Sequence, residues 1–150
     1  MVQGATVHAS AVLAGASAVL IRGPAGAGKS RLALALIHAA GSGLIDFARL
    51  VGDDRVELAA AHGRLLVRPA RRLAGLIEVR GLGIRRLDHE PVAVVGLVVD
   101  LALAGVERLP DGSAGQIAIQ GVNLPRLVVA PGVDPLPSVL ASLLTAAAEV

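Results

Sequence analysis

The residues Gly23-Pro24-Ala25-Gly26-Ala27-Gly28-Lys29-Ser30 carry the pattern G-x-x-x-x-G-K-[ST]. Glycines at this spacing let the backbone fold tightly, so that several N–H groups face one concavity. A helix starting at the end of such a loop adds partial positive charge. That is chemistry for holding phosphates. Lys29 would bridge the outer phosphates of a nucleotide, and Ser30 would set its hydroxyl on magnesium, so the ligand implied is ATP with Mg2+. Of the 14 basic residues, 13 are arginines, and the single lysine is Lys29. A compact ammonium reaches between phosphates where a planar guanidinium fits poorly. The plain alternative is a glycine-rich turn that binds nothing. The apolar segments on either side, one strand-like and one helix-like, favour the phosphate loop.

Phosphoryl transfer also needs carboxylates to hold magnesium and to orient or deprotonate the acceptor. Three places compete. Asp53 and Asp54 follow an apolar strand, which can bring at least one of them near the phosphates. Glu78 sits among arginines in a glycine-rich stretch, where a simple ion pair would explain it equally well. Asp100 ends Leu97-Val98-Val99, the usual setting of a strand-end magnesium carboxylate, and on its residues alone it rivals the Asp53-Asp54 pair. Arg68, Arg71, Arg72, Arg80, Arg85 and Arg86 crowd one segment. They suit a phosphate-rich cleft or an acidic partner, and equally a solvated basic face. His38 and His62 read as helix-end and turn residues, and His89 as exposed.

These groups need a scaffold. Residues 18–22 read as a short strand feeding the phosphate loop. Residues 31–40 hold strong helix formers and no breaker, ended by Gly41 and Gly43. Leu50-Val51 leads into the acidic pair. Residues 55–60 and 64–68 flank Ala61-His62-Gly63 as a hairpin. Residues 75–83 read as a turn region punctuated by glycine, 92–101 as a buried strand, and 116–119 and 126–129 as further strands. Asp134 and Pro135 read as the N-cap and first-turn proline of a helix to about Ala148. The order predicts an α/β fold: a phosphate-loop nucleotide-binding domain with a mixed, strand-rich sheet.

Length and composition set outer limits. The 150 residues fit a single domain over 1–150. Hydrophobic residues make up 54% of the chain, with one Phe and no Tyr or Trp, so aliphatic side chains must fill the core. That argues against a platform of rings for stacking bases, and a formal charge of +2 is small for a nucleic-acid binder. Without cysteine there are no disulfides or thiolate metal sites, which suits a cytoplasmic protein. No apolar run approaches the roughly 18 residues of a membrane span. Residues 9–21 are uncharged, like the apolar part of a signal peptide. They lack a basic leader and run directly into the phosphate loop, so they are read as part of the fold.

The combination of His8, the phosphate loop, Asp53-Asp54 and Glu78-Val79-Arg80-Gly81-Leu82-Gly83-Ile84 resembles the bacterial HPr kinase/phosphorylase family. The Glu-x-Arg-Gly-Leu-Gly-Ile stretch is the most specific of these features, and the resemblance is good over residues 4–110. It implies a kinase that phosphorylates a serine of HPr, the phosphocarrier protein of the sugar phosphotransferase system, and that also reverses the step by phosphorolysis, releasing pyrophosphate. By the same resemblance His8 and Lys29 lie near the transferred phosphate, and Ser30 and Glu78 bind magnesium. Asp54 takes the serine proton with Asp53 close by, and Arg108 matches an active-site arginine. Asp100 would then be structural. The family also implies a hexamer.

The chain departs from the family in three respects. It is read as a short form without the separate N-terminal domain. The run from Lys29 to Asp53 is longer than usual. The family's Pro-Gly-Arg-Asn loop becomes Pro131-Gly132-Val133-Asp134, without the arginine, which counts against phosphorolysis more than against the kinase step. Two rival readings share the loop: a small-molecule kinase, which would need a substrate lid, and a nucleotide-sensing module that transfers nothing.

Overall fold

The alanine-rich run at 9–14 hides a strand, since alanine is a weak strand former and Ala9, Ser10, Ala11 and Val12 are buried on both faces. Ala9 and Ala11 enter one apolar cluster and Val12 enters another, while Thr6 and His8, earlier on the same strand, are exposed. A computed structural model of the chain, which describes residues 5–102 and 115–146, shows a strand β1 at Ala5–Ala14. Gly15, with φ 69°, turns the chain into β2 (Ser17–Arg22), antiparallel to β1 from Ala14↔Ser17 to Ala9↔Arg22. The phosphate loop follows, then α1 (Lys29–Gly41) and β3 (Ala48–Gly52), which lies on the other edge of β1.

β4 (Arg55–Ala61) and β5 (Arg64–Pro69) form the expected hairpin. Its two-residue turn, His62 with φ 53° and Gly63 with φ 76°, is left-handed at both positions, matching the twist of the flanking strands. Residues 75–83 are not simply a turn region, as the sequence suggested. β6 (Leu76–Val79) and β7 (Gly83–Arg86) make a second, separate hairpin. Its strands are too short for a period to show, and burial of Ile77 in the core that includes α1 is what holds them. β8 (Ala93–Leu101) is the buried strand anticipated at 92–101. β9 (Gln116–Ile119) and β10 (Val122–Val129) pair antiparallel. α2 (Leu136–Leu144) begins after Asp134, whose Oδ1 accepts the Leu136 N–H at 3.1 Å. It is shorter than expected, because Thr145 adopts extended backbone.

The sheet is mixed, as predicted. β2 and β10 run parallel to β8, and the other pairings are antiparallel. β1 and β8 each serve two sets of neighbours. β1 pairs with β4 through His8 and then with β2 and β3. β8 pairs with β5 at Ala93 and Val94 and with β2 from Val95 to Asp100. The pairings therefore close on themselves through β1, β4, β5, β8 and β2. One core is drawn from strands alone and includes Leu20, Val56, Leu65, Val67 and Val98. The other joins strands to both helices through Val19, Ile21, Leu32, Leu36, Val99 and Val139. β2 and β8 thus have both faces buried, and their carboxyl ends carry the phosphate loop and Asp100. Among the described residues, no helix is long and apolar enough to cross a membrane.

Candidate active site

The phosphate loop begins where β2 meets β8. A side chain at Gly23 would press against the Leu101 carbonyl oxygen and Cβ, both at 3.1 Å from an added Cβ. The Ala27 N–H returns to the Pro24 carbonyl at 3.1 Å, closing a turn whose third residue, Gly26, has φ 81°. Gly28, with φ 98°, ends the loop, and no side chain caps α1. The helix therefore presents free N–H groups and its positive end to the loop. The Lys29 ammonium donates to the carbonyls of Gly23 and Pro24 at 2.8 and 3.1 Å, folded over the loop it follows.

The acidic pair is split by a tight turn. Arg55 N–H bonds the Asp53 carbonyl at 2.7 Å, with Asp54 between them at φ 66°. This conformation is costly for most residues, and Asp is among those that tolerate it. The turn sends the two carboxylates apart. Asp53 is 3% exposed and Asp54 faces solvent. Gly52 is needed just before the pair, since a Cβ there would lie 2.7 Å from Val56 Cγ1 and 3.1 Å from Pro69 Cα.

Asp53 collects three donors. Its Oδ1 accepts the hydroxyls of Ser10 at 2.6 Å and Ser30 at 2.8 Å. Its Oδ2 accepts Ser30 at 2.8 Å and the backbone N–H of Glu78 at 3.1 Å. Among the described residues no Lys or Arg pairs with it. A buried carboxylate without a basic partner, beside a hydroxyl whose hydrogen is already committed, is a hard-oxygen pair of the kind that suits Mg2+. No cluster of three His, Cys, Asp or Glu side chains occurs among the described residues. A magnesium ion shared with phosphates needs only one or two protein ligands.

The other expected residues fall as follows. Glu78 reaches this group through its backbone, and its side chain is exposed. His8 faces Arg55 across the β1–β4 pair, with Arg55 Nη2 3.0 Å from His8 Nε2. Since a guanidinium can only donate, Nε2 accepts in this contact. Arg108 lies outside the described residues. His89 is half-buried, not exposed. It lines an open groove of about 630 Å3 with Arg49, Gly75, Arg86, Leu87 and Asp88 that includes no phosphate-loop residue.

Asp100 is no rival to the Asp53 site. Arg22 grips both its oxygens at 2.8 Å, and Arg126 adds a bond at 2.6 Å. Burial alone would raise this carboxyl, but hydrogen bonds and charge from Arg22 and Arg126 hold it below its ordinary value of 3.8. Its acceptor capacity is taken by two guanidiniums.

The profile of the HPr Serine kinase C-terminal domain matches residues 1–89, which include His8, the phosphate loop, Asp53, Asp54 and Glu78. The chain belongs to this family. A relative named HPr kinase/phosphorylase in Halalkalibacterium halodurans is 33% identical over 122 residues, covering 74% of this chain and 37% of the relative. Another of that name in Streptococcus thermophilus is 39% identical over 102 residues, covering 67% of this chain and 26% of the relative. The chain thus spans between a fifth and just over a third of the length of the curated relatives it matches. Among solved structures, the Hpr(Ser) kinase/phosphatase from Coxiella burnetii superposes with a TM-score of 0.73 at 26% identity, covering 93% of each chain. The strand-rich phosphate-loop fold is the fold of that kinase.

Sequence reasoning missed Ser10, Arg22, Arg55 and Arg126. Ser10 and Arg22 flank apolar strand residues and look like ordinary small or strand-end residues. Nothing in spacing alone pairs them with Asp53 or Asp100, which lie 43 and 78 residues away. His8↔Arg55 could have been found only by pairing β1 with β4, and β1 itself was not legible.

Proposed function

We propose that this chain is a serine kinase domain that transfers the γ-phosphate of ATP to an HPr-like phosphocarrier protein. The observation that carries the reading is the Ser30–Asp53 hydrogen bond at the start of α1, inside the segment matched by the family profile. Backbone N–H groups of residues 23–28 hold the phosphates, and Lys29 leaves the Gly23 and Pro24 carbonyls for the outer ones. Magnesium, when bound, neutralises charge on the β- and γ-phosphates, and Ser30, Asp53 and Glu78 are the groups that would hold it. The exposed Asp54 takes the proton of the attacking serine. The new bond is from that serine oxygen to the γ-phosphorus, and the bond broken is to the β–γ bridging oxygen, so ADP leaves. His8 lies beside the transferred phosphate, held by Arg55. The role given to Arg108 rests on the family resemblance alone.

The proposal includes a cytoplasmic location, where ATP and the carrier meet, and a protein partner in place of nucleic acid or membrane. It includes one kinase domain over 1–150, assembly into a hexamer, and a reverse phosphorolysis that is weak. One observation favours the second reading, a nucleotide-sensing module: the exposed loop at Pro131-Gly132-Val133-Asp134 carries no basic residue. The test is incubation with labelled ATP, Mg2+ and the host's phosphocarrier, followed by mapping of the label. Label on a carrier serine supports the kinase. Tight ATP binding with no labelled carrier supports the sensor and rejects the kinase.

A further inference from the structure

We infer that Ser10 is a positioning residue for the magnesium site: its hydroxyl locks the Asp53 carboxylate in the orientation in which Ser30 can serve a cation. The inference rests on the reading of Ser30 and Asp53 as magnesium-holding groups. Among the described residues only three polar side chains are buried: Ser10 at 0% exposure, Asp53 at 3% and Asp100 at 7%. Asp100 is accounted for by its two arginines. The other two touch each other, at 2.6 Å.

The geometry gives Ser10 a task that packing does not. The terminal torsion of an aspartate is broad and roughly two-fold, so a carboxylate held at one point can swivel. Here each oxygen has an anchor besides Ser30. Oδ1 is held by the Ser10 hydroxyl and Oδ2 by the Glu78 N–H. Two anchors fix the plane, and the Ser30 hydroxyl spans both oxygens at 2.8 Å. A carboxylate only accepts, so both serines donate their single hydrogen to it. The lone pairs of Ser30 are left for a cation.

Ser10 is itself held firmly. β1 is paired on both sides there, with Ser10 opposite Ile21 of β2 and Ala11 opposite Gly52 of β3. Gly52 directly precedes Asp53, so β1 fixes both the backbone before the carboxylate and the hydroxyl against it. Side chains two apart on a strand share a face, so Ser10 also stands on the side of β1 that carries His8.

The test measures nucleotide binding and needs no turnover. Calorimetry with a non-hydrolysable ATP analogue, at a series of Mg2+ concentrations, gives the Mg2+ needed for half-maximal binding by wild type and Ser10→Ala. Partners that orient a metal ligand contribute tenfold to a hundredfold in metal affinity. Ser10→Ala is therefore expected to raise the Mg2+ requirement by roughly ten- to a hundredfold, with analogue affinity in EDTA unchanged. A merely structural serine would lower the melting temperature and leave the Mg2+ requirement at the wild-type value, and that result overturns the inference. Should Ser10→Ala not fold, Ser10→Cys keeps the size with a weaker donor. An intermediate requirement there supports the inference, and a wild-type requirement overturns it. If wild type binds the analogue without any Mg2+ dependence, the reading of the site fails and the role of Ser10 fails with it.

Discussion

The Ser30 hydroxyl lies 2.8 Å from each oxygen of the buried Asp53 carboxylate. This contact joins the first turn of α1 to the end of β3, the two places where the sequence puts phosphate-binding and acidic residues. It also sets the two carboxylates of the acidic pair apart. Asp53 is turned inward to the phosphate loop, and Asp54 is turned outward to solvent.

Lys29→Ala removes the only ammonium side chain of the chain. Loss of one such contact to the transferring phosphate costs about 3 kcal/mol in the transition state. The expected result is weaker ATP binding and a fall in kcat/KM of at least a hundredfold, with the fold retained. Steady-state transfer to the carrier, with circular dichroism as the folding control, checks this. Unchanged turnover would remove the phosphate loop from the mechanism.

The divided pair predicts two different defects. Asp53→Asn leaves a neutral amide between Ser10 and Ser30 and is expected to weaken Mg2+-dependent ATP binding. Asp54→Asn keeps a residue that tolerates the left-handed turn, so ATP binding and stability should stay near wild type while transfer is lost. Binding titrations and single-turnover transfer on both variants separate the two. Asp54→Asn with normal transfer would mean that another group takes the serine proton.

Asp100 is expected to act on stability and not on magnesium. Replacing it with Asn leaves Arg22 and Arg126 facing a neutral group, at a cost of about 2 kcal/mol for a partly exposed cluster. At pH 7 that is a fall of roughly 5 °C in melting temperature. Because the folded carboxyl titrates below its ordinary value of 3.8, its contribution is full well above that pH and fades as pH falls below it. The melting temperatures of wild type and Asp100→Asn should therefore converge below pH 3.8, while the Mg2+ requirement of the two stays equal at pH 7. A gap that persists after the folded carboxyl has itself been protonated would point to packing instead of charge.

Much of the fold was legible because local signals were strong. The phosphate loop, α1 and the β4–β5 turn each depend on residues adjacent in sequence: glycines with positive φ, a run of helix formers, and His62-Gly63. β1 was not legible because alanines, weak strand formers, fill its middle, the part that is buried on both faces. The β6–β7 hairpin was hidden by strands too short to show a period. At the site, residue types named Lys29, Ser30 and the acidic pair. They could not say which carboxylate turns inward, since that follows from the Asp54 turn and the Gly52 contact. Asp100 has the strand-end setting of a magnesium carboxylate. Only the alignment of β2, β8 and β10 brings Arg22 and Arg126 onto it.

The site is expected to favour the forward direction. Phosphorolysis requires inorganic phosphate beside a phosphoserine, and two unit negative charges about 4 Å apart repel by roughly 4 kcal/mol at an effective dielectric of 20. The forward step brings in a neutral hydroxyl and has no such barrier. The loop where the family resemblance leads one to expect an arginine holds the exposed Val133, and Arg126, a few residues before it, is bound to Asp100. Arg80, Arg85 and Arg86 are exposed on the β6–β7 hairpin and its turn, where solvent screens their charge. The forward rate at saturating ATP should therefore exceed pyrophosphate release from the phosphorylated carrier at millimolar phosphate by at least about tenfold. Val133→Arg should narrow that ratio chiefly by raising the reverse rate, since the positive charge acts on the extra anion. Both rates are measured on the same carrier preparation. Equal forward and reverse rates in the wild type would show that the loop charge is dispensable, and a Val133→Arg variant with an unchanged ratio would show that the loop lies too far from the transferred phosphate to matter.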